Sequence, residues 1–407
     1  MTADRPDADA RVYYAASVHD DREIDAVVEV LRDPRGLWVG KRVNQMERRV
    51  AALFGKGAGV MVNSGSSALY LAVELMGLPP GAEVIVPAVT FSTDIAPLVR
   101  AGLVPSFVDV EPDTYNIDVE LVDAAVTPAT RAILAANLIG NVPDWDALRA
   151  VADRHGLWLV EDSCDAMGPT LRGTPTGARS DLTVTSFASS HVITCAGGGG
   201  MLMLDDDGLR DRALLLRRWG RRSELHFFGS KRRDRTFWED LDGVAYDNQF
   251  IFDEVAWNFE PSELGAAFGL VQLDKLDANL ARRQRNFRLY SEFLAPYAGR
   301  LLAPRQPEGV DTAWLCYPVT ILDGAGIERA DVQQFLDARG IDTRTVWTGN
   351  ATRQPMLRGV PWKAPEAGLP NADRIFAAGF VLPCNHGMDD AAVGYVTSAL
   401  AELLDRA

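Results

Sequence analysis

Lysine is scarce in this chain. Of the 407 residues only five are lysine, and arginine supplies most of the positive charge. The lysines are Lys41, Lys56, Lys231, Lys275 and Lys363. An enzyme that uses a lysine amine as its nucleophile must therefore draw it from this small set.

Cysteine and histidine are also few, with four cysteines and five histidines. Cys164, Cys195, Cys316 and Cys384 are widely spaced and match no zinc or iron–sulfur pattern. We therefore predict no bound metal. The cysteines are expected to be mostly buried free thiols, which pack as small apolar side chains.

The chain lacks both a long apolar run and a basic start. No segment approaches the roughly 20 apolar residues that cross a bilayer. The opening residues, MTADRPDADARVYY, are polar and acidic, unlike a signal peptide. These absences predict a cytoplasmic protein without membrane contact. The net charge of −15 makes nucleic acid an unsuitable general partner, so an anionic ligand needs a local pocket.

Apolar segments typical of strands alternate with amphipathic segments from about residue 60 to 205. Such alternation predicts an α/β fold with a mostly parallel sheet covered by helices. The strand and helix signals restart after about residue 295, which indicates a smaller C-terminal α/β domain. The expected organisation is an N-terminal arm over 1–25, a large domain over 26–290 and a small domain over 291–407. The predicted strands are 83–87, 104–110, 131–138, 157–161, 182–187 and 200–204.

Several longer segments are also assigned from pattern. Residues 20–55 and 262–292 are predicted to be helical, and the Pro/Gly-rich run 358–370 is predicted to be a surface loop of the small domain. Residues 221–256 mix charged and aromatic side chains without a clear period. We predict that they form a long excursion near the active site, since long irregular insertions are usually functional.

Small polar residues lie between a predicted strand and helix at 63–69. The sequence Asn-Ser-Gly-Ser-Ser there is typical of an anion site, because backbone amides at a helix start bind negative groups. A plain helix cap is the alternative, since serine is a favoured cap. Phe91, after another strand, is suited to stacking on an aromatic ligand or to a place in the core.

A carboxylate and a histidine follow two further strands. Asp162 ends the apolar run LWLVED, where a buried carboxylate requires a partner such as a protonated ring nitrogen. A metal is the competing partner, but no histidine lies at ligand spacing nearby. His191 follows Ser186 and precedes the run of glycines at 197–200. By itself His191 suits a structural histidine as well as a catalyst, and the glycines are a weak signal.

Together these segments resemble the DegT/DnrJ/EryC1/StrS family of sugar aminotransferases, which are fold-type-I pyridoxal-phosphate enzymes. The resemblance extends from about residue 20 to 400 and preserves the order of the motifs. It implies that Gly65, Ser66 and Ser186 hold the cofactor phosphate, Phe91 stacks on the pyridine ring, Asp162 bonds the ring nitrogen, Asp165 lies near the ring hydroxyl, and Asn258 reaches the cofactor of a partner subunit in a homodimer.

The chain departs from that family at its most important position. The lysine that normally binds the cofactor covalently is replaced by His191, and none of the five lysines lies near the strand ends. Imidazole forms no Schiff base but transfers protons near neutral pH. A histidine here marks a branch that resembles nucleotide-linked 4-keto-6-deoxyhexose 3-dehydratases. The stretches RRWGR at 217–221 and GNATRQP at 349–355 are similar to that branch.

Two further departures refine the resemblance. One subgroup carries a cysteine cluster for an iron–sulfur centre after the WGR motif, whereas residues 222–256 contain no cysteine. The chain is therefore more similar to the glutamate-dependent subgroup that acts on GDP-4-keto-6-deoxymannose. Glu260 stands where the family commonly has a basic residue, which affects the expected subunit contact or substrate match.

The resemblance implies a homodimeric lyase that removes the C3 hydroxyl of a nucleotide sugar. Its cofactor is pyridoxal 5′-phosphate or pyridoxamine 5′-phosphate, with L-glutamate as amino donor and His191 as the base. Arg344 and Arg353 are candidates for the nucleotide diphosphate, because guanidinium groups match phosphate geometry. The alternatives are another pyridoxal-phosphate reaction on a sugar or cyclitol, and a pseudo-enzyme that binds the cofactor or a protein partner.

Overall fold

The computed structural model describes residues 11–234 and 236–406. The strands are β1 (Ala58–Val62), β2 (Glu83–Pro87), β3 (Val104–Val108), β4 (Thr130–Ala136), β5 (Trp158–Asp162), β6 (Thr170–Leu171), β7 (Thr174–Pro175), β8 (Leu182–Ser186), β9 (Gly200–Leu204), β10 (Trp238–Leu241), β11 (Val244–Asp247), β12 (Leu301–Leu302), β13 (Val310–Asp311), β14 (Tyr317–Ile321), β15 (Arg344–Thr345) and β16 (Gly379–Leu382).

The α-helices are α1 (Asp21–Arg32), α2 (Lys41–Leu53), α3 (Gly65–Met76), α4 (Ser92–Arg100), α5 (Val119–Ala125), α6 (Trp145–His155), α7 (Asp207–Arg217), α8 (Ser223–Phe227), α9 (Glu263–Asp274), α10 (Leu276–Leu294), α11 (Arg329–Asp337), α12 (Pro370–Ala378) and α13 (Asp390–Leu404). No helix in the described part of the chain is long and apolar enough to cross a membrane.

Seven strands form the large sheet, in the order β1-β9-β8-β5-β4-β2-β3. Every neighbouring pair is parallel except those of β9, which runs antiparallel to β1 and β8. These strands are almost wholly buried because helices cover both faces, which explains their continuous apolar sequences. The predicted mostly parallel sheet is therefore present, and the carboxyl ends of β1, β2, β4, β5 and β8 lie along one edge.

The C-terminal part has its own sheet, of four antiparallel strands in the order β12-β14-β16-β15. Residues of α10, α11 and α13 pack on it to form a second core. However, apolar residues between α11 and β16, such as Val346, Leu357 and Ile375, belong to the core of the large sheet. The domain limits drawn from the sequence remain a prediction.

Three segments differ from the sequence-based assignments. The helical stretch 20–55 is divided by a turn that contains Pro34 and Gly36, and the stretch 262–292 is divided at Lys275. The loop 358–370 is not confined to the small domain. The backbone of its Lys363 exchanges hydrogen bonds with Pro105 and Phe107 at the edge strand β3, so this loop extends the large sheet.

Residues 221–256 contain more order than their sequence indicates. They form the short helix α8 and the hairpin β10–β11. Trp238 and Val244 of this hairpin are exposed. An isolated two-stranded hairpin is marginally stable, so its base needs support. Arg222 supplies it through an ion pair with Glu239 of β10, 3.2 Å between Nη1 and Oε2.

Candidate active site

A cavity of about 320 Å³ opens at the edge of the large sheet where the parallel strands end. Its size suits a small organic ligand, since such sites typically enclose about 300–1,000 Å³. Seven of the residues that the sequence proposes as site residues line it together: Gly65, Ser66, Phe91, Asp162, Asp165, Ser186 and His191. They lie up to 126 residues apart in sequence and meet because their strands are neighbours.

One end of the cavity is formed by the start of α3. Ser64 caps this helix, because its Oγ accepts a hydrogen bond of 3.0 Å from the Ser67 amide. The amides of the first turn have no partner within the helix and point out of its end. Gly65 is required there, because a Cβ atom would lie 2.6 Å from Cβ of Ser186 and 2.8 Å from Sγ of Cys164. With the hydroxyls of Ser66 and Ser186, this end fits a phosphate group.

The glycine run after His191 also has a structural reason. A Cβ atom on Gly200 would lie 2.3 Å from the backbone carbon of Ser64. Only glycine therefore lets β9 pass behind the loop that begins α3. The run contributes to the phosphate cradle by allowing this close approach of two backbones.

Phe91 and Asp162 both line the cavity. Phe91 precedes α4 and is 53% exposed, so it is a cavity residue rather than a core residue. Asp162 ends β5, and its Oδ1 accepts the Cys164 amide at 2.9 Å. Glu161 points to the opposite face of the sheet, where its Oε1 accepts hydrogen bonds from Asn137, Ser163 and Thr176.

The floor of the cavity is acidic. Asp162 and Asp165 line it, and the fully buried Asp94 lies behind Asp162. Among the described residues, none of these three carboxyls forms an ion pair with Lys, Arg or His. Burial raises the pKa of all three, to about 7 for Asp165. The carboxyls of this site therefore have no positively charged partner. A protonated pyridine nitrogen would be such a partner, so the residues of the site fit the cofactor.

His191 lies on the loop between β8 and β9 and borders the cavity. Its Nδ1 is buried without a hydrogen-bond partner. Burial lowers the pKa of the imidazole to about 4, and the positive charge of Arg283 contributes in the same direction. The side chain is therefore neutral at pH 7 and able to accept a proton from a ligand in the cavity.

No lysine lines this cavity. Lys56 pairs with Asp205 at 2.9 Å, Lys275 pairs with Glu23 at 2.6 Å, and Lys363 pairs with Glu83. Lys41 and Lys231 are exposed on the surface. The sequence predicts that no other lysine takes the place of the one missing at position 191, and the positions of the five lysines agree with this prediction.

Three proposed site residues lie outside the cavity. Asn258 forms a backbone bridge with Arg218 and does not reach the cavity of its own chain. Arg353 makes two hydrogen bonds to Asp373, at 2.9 and 2.8 Å. Arg344 lies closer to the site, because its guanidinium stacks on Tyr14, 4.9 Å from the ring centre. The roles of all three remain predictions.

The structure adds cavity residues that the sequence did not indicate. Tyr14 of the N-terminal arm and Trp347 of the C-terminal part both line the cavity. The Trp347 indole donates a hydrogen bond of 2.7 Å to Asp165 from a backbone with φ of 36°, a strained conformation for an aromatic residue. Such strain is frequent at functional sites, but the backbone angle φ of a residue cannot be predicted from the sequence alone.

The sheet order, the start of α3 that fits a phosphate group, the exposed ring of Phe91 and the unpaired Asp162 are together typical of a fold-type-I pyridoxal-phosphate enzyme. The model of the DegT/DnrJ/EryC1/StrS aminotransferase family matches residues 18–401. The chain belongs to this family, and the predictions of family and fold class are confirmed.

Individual relatives narrow the class. The chain is 36% identical to dTDP-4-dehydro-2,6-dideoxy-D-glucose 3-dehydratase of Saccharopolyspora spinosa, over 96% of this chain and 86% of that protein. It is 33% identical to GDP-4-keto-6-deoxy-D-mannose 3-dehydratase of Yersinia pseudotuberculosis, over 83% and 84% of the two chains. The crystal structure of the E. coli enzyme of the latter name, with bound hydrated PLP, aligns with a TM-score of 0.84 at 28% identity, over 96% and 99% of the chains. The predicted dependence on pyridoxal phosphate agrees with these likenesses.

Proposed function

We propose that this protein removes the C3 hydroxyl from a nucleotide-linked 4-keto-6-deoxyhexose, with pyridoxal phosphate as cofactor and L-glutamate as amino donor. The observation that carries the proposal is His191 at the cavity wall, where no lysine is available. A neutral histidine moves protons without binding the cofactor covalently. The 3-dehydratases among the relatives support the same chemistry.

The residues of the cavity have different roles in holding the cofactor. The start of α3, Ser66 and Ser186 hold the phosphate, and Phe91 covers one face of the ring. Asp162 keeps a proton on the ring nitrogen. A bound cofactor would supply an electron sink at C4 of the sugar and so would help the C3 hydroxyl to leave.

His191 is the group that moves protons. Its neutral imidazole would take up a proton within the cavity and give it to the departing C3 hydroxyl, which would leave as water. The walls contributed by Phe91 and Trp347 limit access of solvent to these atoms. Both arginines are paired with an aspartate, Arg344 with Asp342 and Arg353 with Asp373. Arg344 remains the stronger of the two candidates for the nucleotide diphosphate, because its guanidinium stacks on Tyr14, which lines the cavity.

The proposal predicts a deoxygenated product and free ammonia. The purified protein is supplied with pyridoxal phosphate, glutamate and a panel of nucleotide-linked 4-keto-6-deoxy sugars, without iron or a reductase. We expect one ammonia for each 3-deoxy-4-keto sugar, because the amine introduced at C4 hydrolyses when the hydroxyl is lost. Mass spectrometry and an ammonia assay measure both. A stable 4-amino sugar that retains its C3 hydroxyl would identify an aminotransferase, and absence of any cofactor-dependent change would identify a pseudo-enzyme.

The rate of the proposed reaction should remain close to its value at neutral pH when the solution is mildly acidic. Since burial holds the pKa of His191 near 4, its base form is lost only as the pH falls toward 4, rather than at the ordinary value of 6.5. We expect the acid limb of kcat/KM to lie well below pH 6.5. A pH profile of initial rates, with the protein returned to neutral pH as a stability control, measures it. A limb centred at 6.5 would contradict this account of the histidine.

We also propose a homodimer in which Asn258 of one protomer completes the site of the other. Support comes from the surface beside it, where Trp38, Phe252 and Val255 are exposed next to a groove lined by Arg218 and Arg221. Glu260, which departs from the family pattern, pairs with Arg218 at 3.4 Å, so its charge is compensated within this surface.

Subunit mixing tests the shared site. His191→Asn and Asn258→Ala homodimers should each be nearly inactive. A mixed dimer of the two places both lesions in one site and leaves the other intact, so each mixed dimer should have about half of the native rate. Since random mixing makes about half of the dimers mixed, the whole sample should recover about a quarter of the native rate. Unmixed variants at the same total concentration are the control. An active monomer in sedimentation, or mixing without recovery, would refute the shared site.

A further inference from the structure

Asp94 is a buried carboxyl that the mechanism above does not use. It lies in the first turn of α4, three residues after Phe91, and has no exposed surface. Its Oδ2 accepts a hydrogen bond from the hydroxyl of Thr90. Its Oδ1 is buried and has no donor among the described residues.

Of the titratable groups around Asp94, Asp162 acts on it most strongly. The two carboxyl groups lie within hydrogen-bonding reach of each other. Two carboxylates form such a bond only when one of them carries a proton, because like charges at this distance cannot both ionise in a buried site. Asp162 already accepts the Cys164 amide, whereas Oδ1 of Asp94 accepts nothing. The proton is therefore best placed on Asp94.

We propose that Asp94 is a neutral acid that donates a hydrogen bond to Asp162, and so holds Asp162 as the carboxylate that receives the pyridine nitrogen. This inference rests on the proposed cofactor site. Asp94 acts through Asp162, so it is a positioning residue. It fixes the orientation of the Asp162 carboxylate. Because Asp94 is neutral, the site also carries less negative charge than it would if all three carboxyls were ionised.

The electrostatic surroundings agree with this assignment. The titratable groups that act on Asp94 are Asp162, Asp165 and the thiol of Cys164, and none of them supplies positive charge. Thr90 is bonded in turn to Thr348, whose hydroxyl donates to the Thr90 carbonyl at 2.6 Å. Burial raises the pKa of Asp94 well above its ordinary value. The favourable field of the helix start is the weaker effect, since it amounts to only about 0.3–1 kcal/mol.

Cofactor binding distinguishes a neutral acid from an anion at this position. Asp94→Asn preserves both hydrogen bonds, because the amide oxygen can accept from Thr90 and the amide nitrogen can donate to Asp162. Asp94→Leu has a similar volume but neither bond. We expect the Kd for pyridoxal phosphate to stay within about threefold in Asp94→Asn and to rise about tenfold or more in Asp94→Leu, the change that one hydrogen bond represents. Absorbance titration measures both, and the spectrum of the bound cofactor should show a protonated ring in Asp94→Asn.

The matched control is Glu161→Gln, which neutralises another buried carboxyl on the opposite face of β5 and should leave the Kd unchanged. If Asp94→Asn weakens binding as much as Asp94→Leu, Asp94 acts as an anion and the proposal is overturned. If even the native chain fails to bind the cofactor, the proposed function fails.

A second measurement does not need the cofactor. A carboxyl whose pKa is raised on folding binds a proton that unfolding releases, so its contribution to stability is lost as the pH rises. In urea unfolding of the cofactor-free protein, Asp94→Asn should lose less stability than the native chain between acid and neutral pH. An identical pH dependence in the two proteins would show that Asp94 holds no extra proton.

Discussion

Replacement of His191 by asparagine is expected to stop both halves of the reaction. Asparagine keeps the polar character of the side chain but neither accepts nor releases a proton. General acid–base catalysis typically contributes about 10²–10⁴-fold to a rate, and His191 is the only imidazole among the described residues that line the cavity. We therefore expect a loss of that size in both the glutamate half-reaction and sugar dehydration.

Single-turnover measurements separate these two halves. Absorbance follows the conversion of the cofactor by glutamate, and chemical quench followed by mass spectrometry follows the loss of the C3 hydroxyl. The Kd for the cofactor serves as the control, because His191 does not belong to the phosphate cradle and the asparagine variant should still bind it. A variant that retains more than a tenth of either rate would show that a different group carries that proton.

Replacement of His191 by lysine is expected to change how the cofactor is held. In the native protein, once unbound aldehyde is removed, borohydride should leave no stoichiometric reduced cofactor on any lysine, because none of the lysines lines the cavity. In His191→Lys an amine faces the cavity, so borohydride should fix one cofactor at position 191. Dehydration should fall by about 10²-fold or more, since the histidine base is lost.

Peptide mapping by mass spectrometry measures this outcome directly. Pyridoxal phosphate added to the asparagine variant gives the matched control, which should remain unlabelled. A stoichiometric adduct on any of the five native lysines would contradict the non-covalent site. An adduct at position 191 accompanied by an undiminished dehydration rate would instead remove histidine from the mechanism.

The fold was largely predictable because strand and helix signals are local. β2, β5, β8 and β9 are short apolar segments, and polar residues follow at the edge where parallel strands end. The break between α1 and α2 was overlooked although Pro34 and Gly36 mark it. The break at Lys275 was not recovered because no proline or glycine marks it. The parallel edge formed by Lys363 was also missed, since a Pro/Gly-rich run resembles a free loop and its backbone pairing with β3 is a long-range contact.

The site was predictable in part for a similar reason. Gly65, Phe91, Asp162 and Ser186 belong to compact motifs, whereas Trp347 meets Asp165 across 182 residues of sequence. Tyr14 reaches the cavity from the arm without any motif. Asp94 was overlooked because an acid in the first turn of a helix normally interacts with the helix dipole and solvent. Its burial against Asp162 follows only from the packing of α4 against the sheet.

The pairing of the lysines has a consequence for chemical durability. An enzyme that binds its cofactor without a covalent bond must work in contact with free aldehyde, which modifies accessible amines. Lys56 and Lys275 lie in ion pairs with carboxylates, which occupy their amines. Lys363 is paired in the same way with Glu83. A chain with only five lysines, three of them in ion pairs, therefore offers few free amines for an aldehyde cofactor to modify.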